Sequence, residues 1–146
     1  MEQGYMQEQR INTQTLISKL SELYTDISPE IGNLFSFMLN NNWIDYEVRQ
    51  NKSSGSFMCY FYNEKIPFLY SNLSGNYYDY KLITHEFGHC IQCYLAKDYT
   101  YKEQLFATKE IAEIQAAAVE IYVLNKAKQI FSEDYDKFVF KFCAKC

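Results

Sequence analysis

Both histidines of the chain lie within five residues, as His85 and His89, and Glu86 follows the first of them. On an α-helix, residues i and i+4 lie one above the other on the same face, so both imidazoles can reach one metal ion. Apolar Leu82 and Ile83 lead into this segment. The spacing therefore favours a helix here and matches the H-E-x-x-H arrangement typical of zinc hydrolases.

The chemistry of zinc explains this spacing. Zinc binds imidazole nitrogens at about 2.0–2.1 Å, and a catalytic site uses three protein ligands and leaves the fourth position for water. The pKa of that water falls from about 15.7 to roughly 7, which supplies hydroxide at neutral pH. Glu86 lies about 100° around the helix from His85, beside the metal rather than on it. Glu86 is therefore the candidate general base, which takes a proton from water and passes it to the leaving amine.

A later helix is predicted from about Lys102 to Lys128, and it is apolar nearly all round. Its apolar residues are Ile111, Ile114, Ala116, Ala117, Ala118, Val119, Ile121, Val123 and Leu124. A helix of this kind is expected to be central and buried. Glu113 and Glu120, seven residues apart, fall on one stripe of it. Because a buried carboxylate is costly unless it is paired or bound to a metal, this stripe is the expected source of the third ligand.

Three further helices are predicted from apolar spacing and end signals. The first covers about Asn12–Tyr24. The second starts with Ser28 as N-cap and Pro29 in its first turn, and it ends at 40–42. The third starts with Asp79 as N-cap. The third of these helices carries the two histidines.

Between the second and third helices the pattern changes to short runs of β-favouring residues separated by turns. These runs are 46–48, 57–62 and 66–70. They predict an antiparallel sheet, and Pro67 predicts that its last strand is an edge strand or only partly paired. The predicted fold class is α+β, mainly α, with a zincin-like helical core and a small antiparallel sheet. We expect residues 1–146 to form a single catalytic-like domain, minimal or truncated.

Composition and charge exclude several classes of partner. The 146 residues carry a net charge of −4, and no cluster of Lys and Arg offers a footprint for phosphate, so nucleic acid is not expected. No apolar run approaches the ~20 residues that span a bilayer, and the N-terminus has no leader pattern, so a soluble, cytoplasmic protein is expected. The five cysteines are an odd set, which is consistent with reduced thiols.

Two features of the cysteines and the C-terminal region leave alternatives open. The pairs Cys90/Cys93 and Cys143/Cys146 could form a Cys₄ zinc site of an interaction module. Because the first pair lies within the predicted histidine helix, buried thiols are favoured over ligands. Residues 131–146 fit either a strand or a helix.

The combined motifs resemble the oligoendopeptidase F and thimet oligopeptidase group of zinc metallopeptidases. The segments that carry the resemblance are 43–45, 52–57, 82–89 with glycine before the second histidine, and 112–114 followed by Glu120. They fall within residues 28 to 128, and their combined spacing, including that from His85 to Glu113, is far more specific than H-E-x-x-H alone.

This resemblance implies that His85, His89 and Glu113 bind one zinc ion and that Glu86 is the general base. It implies that Glu120 is a carboxylate that orients a ligand, a role that commonly raises metal affinity. The expected activity is the hydrolysis of short peptides.

The resemblance also implies a place for the substrate. The strand that begins at Gly55, Ser56 and Phe57 would add an extended peptide to its edge. Gln92 stands where the family usually repeats a histidine, and it can still form hydrogen bonds near the site.

Family members are several times longer, and a later segment of theirs supplies tyrosine and histidine donors to the tetrahedral intermediate. Tyr77, Tyr78 and Tyr80 are the candidates to replace those donors here. The alternative function is a weak or inactive zinc-binding remnant that acts as a structural or interaction protein. An apolar face left uncovered on the first two helices and the sheet predicts a homodimer or a partner chain.

Overall fold

The computed structural model describes residues 12–76, 78–99, 101–105, 108–131, 135–136 and 139. Its helices are α1 (Thr13–Ile27), α2 (Pro29–Asn40), α3 (Tyr78–Leu95), α4 (Lys102–Leu105) and α5 (Lys109–Phe131). Its strands are β1 (Ile44–Asp45), β2 (Ser56–Phe61) and β3 (Ile66–Ser71). The predicted fold class, mainly helical with a small sheet, is confirmed. Among the described helices, none combines the length and the apolar character needed to cross a membrane.

The first two helices each begin directly after a capping residue, and Ser28 is the N-cap that we predicted. The side chain of Asn12 accepts hydrogen bonds from two backbone N–H groups of the first turn of α1. Ser28 accepts from the backbone N–H of Ile31, and Pro29 occupies the first turn of α2. Both caps satisfy N–H groups that have no partner within the helix. The short connection at Ser28 makes α1 and α2 neighbours.

Helix α3 begins with a reciprocal cap, in which Asp79 is not the N-cap that we predicted. The side chain of Asn76 accepts from the backbone N–H groups of Tyr78 and Asp79. The carboxylate of Asp79 in turn accepts from the backbone N–H of Asn76, at 3.1 Å. This is the geometry of a capping box, in which the acidic residue three positions later reaches back. Both residue types favour the N-cap, so spacing alone did not distinguish them.

The three strands form a mixed sheet in the order β1-β3-β2. β2 and β3 pair antiparallel, as predicted, whereas β1 is parallel to β3. The predicted strand at 46–48 is not formed, because the ladder ends at Asp45. The Lys52 ammonium group binds the backbone carbonyls of both Asp45 and Glu47, and it thereby turns the chain away from the sheet.

Pro67 lies in the central strand, so the prediction of an edge strand is wrong. Its position in that strand explains why it is tolerated. Leu69 donates its N–H to the Trp43 carbonyl on the β1 side, so residue 67, two positions earlier, faces the same side. Since β1 pairs only with Leu69 and Tyr70, the missing N–H of Pro67 lies beyond the end of β1. β3 is therefore only partly paired at this point, which was the other half of the prediction.

The core lies between the first two helices, the sheet and α3. Tyr24, Phe35 and Phe87 pack ring against ring, with centroids 4.4–4.8 Å apart. The Tyr24 hydroxyl donates to Thr84 Oγ1 at 3.2 Å, which satisfies a polar atom within this cluster. These contacts fix one face of α3 in the core and leave the adjacent face, which carries the histidines, for the site.

The predicted helix from Lys102 to Lys128 is divided into α4 and α5. Thr108 lies outside both helices, and its carbonyl accepts the N–H of Ala112, so the longer helix starts here. Threonine is a good N-cap residue, which makes a new start favourable at this position.

The prediction that this helix is buried all round is wrong. On α5, Ala116, Glu120 and Val123 are buried, but Ile114 on the opposite side is 67% exposed. Apolar composition indicates that a helix can pack against other elements on more than one side. It does not show which of these sides is packed within the described residues.

Most of the region 131–146 lies outside the described residues, including Cys143 and Cys146. The residues described after α5, namely Tyr135, Asp136 and Val139, are helical. Tyr135 and Val139 pack against the core. Of the two interpretations of this region, the helix is favoured by these residues.

Candidate metal centre

The site is formed where α3 crosses α5 at very short distance. Gly88 makes this possible, because a Cβ at that position would lie 2.7 Å from the Cα of Ala116. Ala116 is itself small and completely buried. The glycine between the two histidines therefore has a packing role. It lets the backbones approach until short carboxylate side chains of α5 reach the imidazoles of α3.

Three ligand atoms of two helices converge at this crossing. One nitrogen of His85, one nitrogen of His89 and one carboxylate oxygen of Glu113 all lie within 4.8 Å of one another. Nε2 of His85 is 3.2 Å from Oε2 of Glu113, and Nε2 of His89 is 4.0 Å from Oε1. Among the described residues, this is the group of histidine, cysteine and acidic side chains that could hold a metal ion.

Glu120 lies behind His85 and holds its orientation. Nδ1–H of His85 donates to Oε1 of Glu120 at 2.6 Å. This hydrogen bond is the main reason that the pKa of His85 is raised above its ordinary value. With the proton held at Nδ1 in the neutral ring, the lone pair of Nε2 is directed away from Glu120, towards Glu113.

Sequence reasoning missed Lys81, which lies one turn before His85 on α3. Its ammonium nitrogen is 3.8 Å from Oε2 of Glu120 and is largely shielded from solvent. The three side chains form a row, Lys81 to Glu120 to His85, in which the ammonium group lies beside one carboxylate oxygen and the imidazole beside the other. The i, i+4 spacing of Lys81 and His85 was the available signal, but only the fold brings Glu120 between them.

Glu86 lies half-buried beside the histidines, and burial raises the pKa of its carboxyl group. The backbone N–H of Met58, on β2, donates to this carboxylate and partly offsets the effect of burial. Met58 pairs with Leu69, whose own N–H faces β1, so the N–H of Met58 faces away from β3. The outer side of β2 is thus turned towards Glu86.

His89 is held differently from His85. Burial is the main cause of its pKa being lowered below the ordinary value, and the neighbouring His85 lowers the pKa further. The two rings lie edge to face with centroids 4.8 Å apart. A neutral imidazole is the form that can bind a metal ion.

The residues predicted to bind substrate lie at the start of β2. Gly55 has φ +107° in the preceding turn, a conformation that favours glycine. Ser56 bonds to Ser71 on β3, and Phe57 stacks on Tyr70 with centroids 4.7 Å apart. Gln92 lies half-buried nearly one turn beyond His89. The roles of Gly55, Ser56, Phe57 and Gln92 stay predictions.

Of the cysteines and tyrosines singled out from the sequence, those at 77, 143 and 146 lie outside the described residues, and the others lie on α3. Cys90 and Cys93 are buried on α3, and burial raises the pKa of both thiols. Buried neutral thiols of this kind are poor ligands unless a metal removes their protons. Tyr80 is buried and Tyr77 lies outside the described residues. No disulfide joins the described cysteines.

The comparisons with known proteins agree with this geometry. The model of Peptidase family M3 matches residues 15–139, which include all the residues of the cluster. The chain belongs to peptidase family M3. The resemblance seen in the sequence is thereby confirmed. Comparison with curated proteins finds no match.

Solved structures of this family share the fold. PZ peptidase A, solved with an inhibitor, is 32% identical, and the match covers 89% of this chain with a TM-score of 0.82. An oligoendopeptidase F from Bacillus anthracis str. Ames is 31% identical over 89% of this chain, also with a TM-score of 0.82. A further oligoendopeptidase F is 29% identical over the same share, again with a TM-score of 0.82.

This chain spans about a quarter of the proteins that it matches, 23% of PZ peptidase A and 24% of the Bacillus anthracis protein. Members of family M3 are metallopeptidases. The part of this chain that the family model matches includes the cluster of His85, His89 and Glu113.

Proposed function

We propose that this chain is a zinc-dependent metallopeptidase domain that hydrolyses short peptides. The observation that carries the proposal is the convergence of His85, His89 and Glu113 within 4.8 Å, with Glu86 on the same helix. In this proposal residues 1–146 form a single catalytic-like domain, minimal or truncated.

The donor set and its spacing fit one zinc ion. Two imidazole nitrogens and one carboxylate oxygen are a known ligand set of catalytic zinc. Ligand atoms at about 2.0–2.1 Å in tetrahedral directions lie about 3.3 Å from one another. The separations from Glu113 of 3.2 Å to His85 and 4.0 Å to His89 are close to this value. Small side-chain rotations would complete the arrangement.

Zinc bound here would act as a Lewis acid and would lower the pKa of water to about 7. Glu86 would accept the proton of the attacking water and deliver it to the nitrogen of the leaving amine. Burial raises the pKa of the Glu86 carboxyl group, which is the direction that makes it a better acceptor of the proton from water. Its hydrogen bond from Met58 would hold the carboxylate at the edge of β2.

Glu120 and Lys81 would keep the ligand set in place. Glu120 would hold the imidazole of His85 in one orientation through Nδ1, and in this orientation Nε2 faces the metal. Lys81 would attract Oε2 of Glu120 and so limit the movement of this carboxylate. We assign positioning roles to both residues, because neither needs to touch the substrate.

The peptide would bind along the outer side of β2. In the strand order β1-β3-β2, β2 has a strand on one side only within the described part of the chain. An extended peptide can add to such an edge through backbone hydrogen bonds. Gly55, Ser56 and Phe57 would contact the substrate at the start of this strand, and the scissile bond would lie near Met58, opposite Glu86.

Zinc content and peptide cleavage test the proposal together. We expect about one zinc ion per chain by elemental analysis, and cleavage of a panel of fluorogenic peptides. Glu86→Gln should keep the zinc but lower kcat/KM by about 10²–10⁴, the usual contribution of a general base. His89→Ala should lose the zinc. Glu22→Gln, on the exposed side of α1, is the matched control and should change neither.

Several results would contradict the proposal. Zinc binding without cleavage of any peptide would favour the alternative, a structural or interaction protein that retains the metal. A folded, zinc-free protein after purification without chelators would exclude both. If His85→Ala left the zinc content unchanged while Cys143→Ser abolished it, the cysteine site would be correct.

A further inference from the structure

The side chains of β2 alternate between the two faces of the sheet. Met58 pairs with Leu69, which is completely buried, so both lie on the face that packs on α3. Phe57, Cys59 and Phe61 therefore lie on the opposite face, which we call the outer face. The rings of Phe57 and Phe61 are 50% and 43% exposed there, and Cys59 is half-buried. On this face β2 thus presents a large, a small and a large side chain in succession.

The two phenylalanine rings are held by different neighbours. Phe57 stacks on Tyr70 of β3, with ring centroids 4.7 Å apart and an interplanar angle of 15°. Phe61 packs edge to face against Trp43, with centroids 5.3 Å apart. Cys59 lies between these two contacts along the strand, and its side chain is much smaller than either ring. We call the space above Cys59, between the rings of Phe57 and Phe61, the Cys59 gap.

The Cys59 gap adjoins the side of β2 that faces Glu86. Within the described part of the chain, this strand pairs with β3 and with no other strand. The backbone N–H of Met58, the residue before Cys59, points away from β3 and donates to the Glu86 carboxylate. A peptide that adds to this side of β2 would therefore pass the proposed general base and the Cys59 gap at neighbouring residues.

We infer that the Cys59 gap binds an apolar side chain of the peptide substrate, close to the bond that is cleaved, and that residue 59 limits the size of that side chain. This inference rests on the proposed peptidase function. Residues directly opposite each other in a sheet place their side chains on the same face. A peptide residue opposite Cys59 would thus place its side chain on the outer face, between the two rings. Its neighbour in the peptide, opposite Met58, would lie next to Glu86.

The two rings favour an apolar substrate side chain. A leucine or methionine side chain between them would remove apolar area from water, both its own and that of the exposed rings. The sulfur of methionine also contacts aromatic rings favourably. An aspartate side chain would lose hydration without gaining a hydrogen bond from either ring. Because the side chain of residue 59 forms the floor of the gap, we assign the control of substrate size to Cys59.

Cleavage of a designed set of peptides by the full, zinc-loaded chain tests this inference. The peptides carry leucine, glycine or aspartate in turn at each of the two residues on either side of the cleaved bond. At one of these positions we expect kcat/KM to be about 10-fold higher for leucine than for glycine, and to be lowest for aspartate. We call the ratio of leucine to glycine at that position the leucine preference.

Two variants of β2 and one control locate the origin of this preference. Cys59→Phe fills the gap and should reduce the leucine preference to about 3-fold or less. Circular dichroism should show this variant folded, because the position is half-buried and phenylalanine favours strands. Phe57→Ala removes one wall of the gap and should also reduce the preference. Val48→Phe is the matched control: it adds the same ring at a position that is 63% exposed, after β1 on the other side of β3, and should keep the preference.

Three results would overturn the inference. The first is equal kcat/KM for the leucine and glycine peptides at all the positions, which would leave the proposed peptidase function intact. The second is a leucine preference that survives both Cys59→Phe and Phe57→Ala, or that is lost equally in Val48→Phe. The third is a protein that cleaves no peptide of the set, which would overturn the proposed function and this inference with it.

Discussion

Replacement of Gly88 by alanine should separate the two helices that form the site. The added Cβ would lie 2.7 Å from the Cα of Ala116 and 3.2 Å from its Cβ. Carbon atoms in ordinary contact are about 3.5–4.0 Å apart, so α3 and α5 must part locally by about 1 Å. The Cα of Ala116 is a backbone atom, so no side-chain rotation can relieve this clash.

This displacement is expected to lower both the free energy of unfolding and the affinity for zinc. Excess volume in a packed contact costs about 1–3 kcal/mol, and the better helix propensity of alanine returns up to about 1 kcal/mol. We therefore expect the free energy of unfolding to fall by about 1–2 kcal/mol. For a chain of this size, Tm should fall by about 2–8 °C. The 2.6 Å contact between His85 and Glu120 would lengthen past hydrogen-bonding distance.

The loss of stability and the displacement of Glu120 from His85 can be measured separately. Urea unfolding in the presence of a chelator reports the free energy of unfolding without metal. Competition with a zinc indicator reports the dissociation constant for zinc, which should rise about 10- to 100-fold when the carboxylate behind His85 is displaced. The variant should thus lose more in metal binding than in folding.

A double-mutant cycle provides the control. Ala116→Gly removes the Cβ contact at 3.2 Å, at a cost of about 1 kcal/mol for glycine within a helix. In the Gly88→Ala background this second change should restore part of the zinc affinity, so the two losses should not add. An unchanged zinc dissociation constant in Gly88→Ala would refute the reasoning, and so would losses that add fully.

Two further predictions concern pH and a buried lysine. Glu120 raises the pKa of His85, so in the metal-free protein this stabilisation is complete below about pH 6.5 and is lost as pH rises through the higher folded pKa. Glu120→Gln should flatten that part of the urea stability profile above pH 6.5, and identical profiles would contradict it. Lys52, with its side chain only 3% exposed, binds Asp45 and the carbonyl of Ser71 among four oxygen contacts. Lys52→Met should lower the free energy of unfolding by about 1–3 kcal/mol, because the Glu47 and Ser71 carbonyls lose their donor while Arg49 still pairs with Asp45. An unchanged urea midpoint would contradict this.

Local signals in the sequence were sufficient for most of the helices. Asn12 and Ser28 cap the first two because their side chains bond to N–H groups two or three residues away. Such contacts depend on neighbours in the chain and need no tertiary structure. The apolar spacing of the H-E-x-x-H helix is local in the same sense, since residues four apart share a face of any helix.

The sheet shows where local signals fail. The β-favouring run at 46–48 has the right composition, yet the ladder ends at Asp45 because Lys52 binds the Asp45 and Glu47 carbonyls. Pro67 is tolerated in the central strand because β1 ends before reaching it. Strand order depends on contacts between segments that are distant in the sequence. The β-propensity of a single segment contains no information about these contacts.

The histidine motif and its later glutamates were determined by the sequence alone, as residue types at fixed helical spacing. What only the tertiary structure decided is that α5 crosses α3 at Gly88, so that Glu113 reaches Nε2 of His85 and Glu120 reaches Nδ1. It also decided that the row extends to Lys81 and that Met58 of β2 faces Glu86. The physical reason is that the spacing of residues along one helix determines the directions of their side chains. The distance between two helices depends instead on the size of the side chains that pack between them.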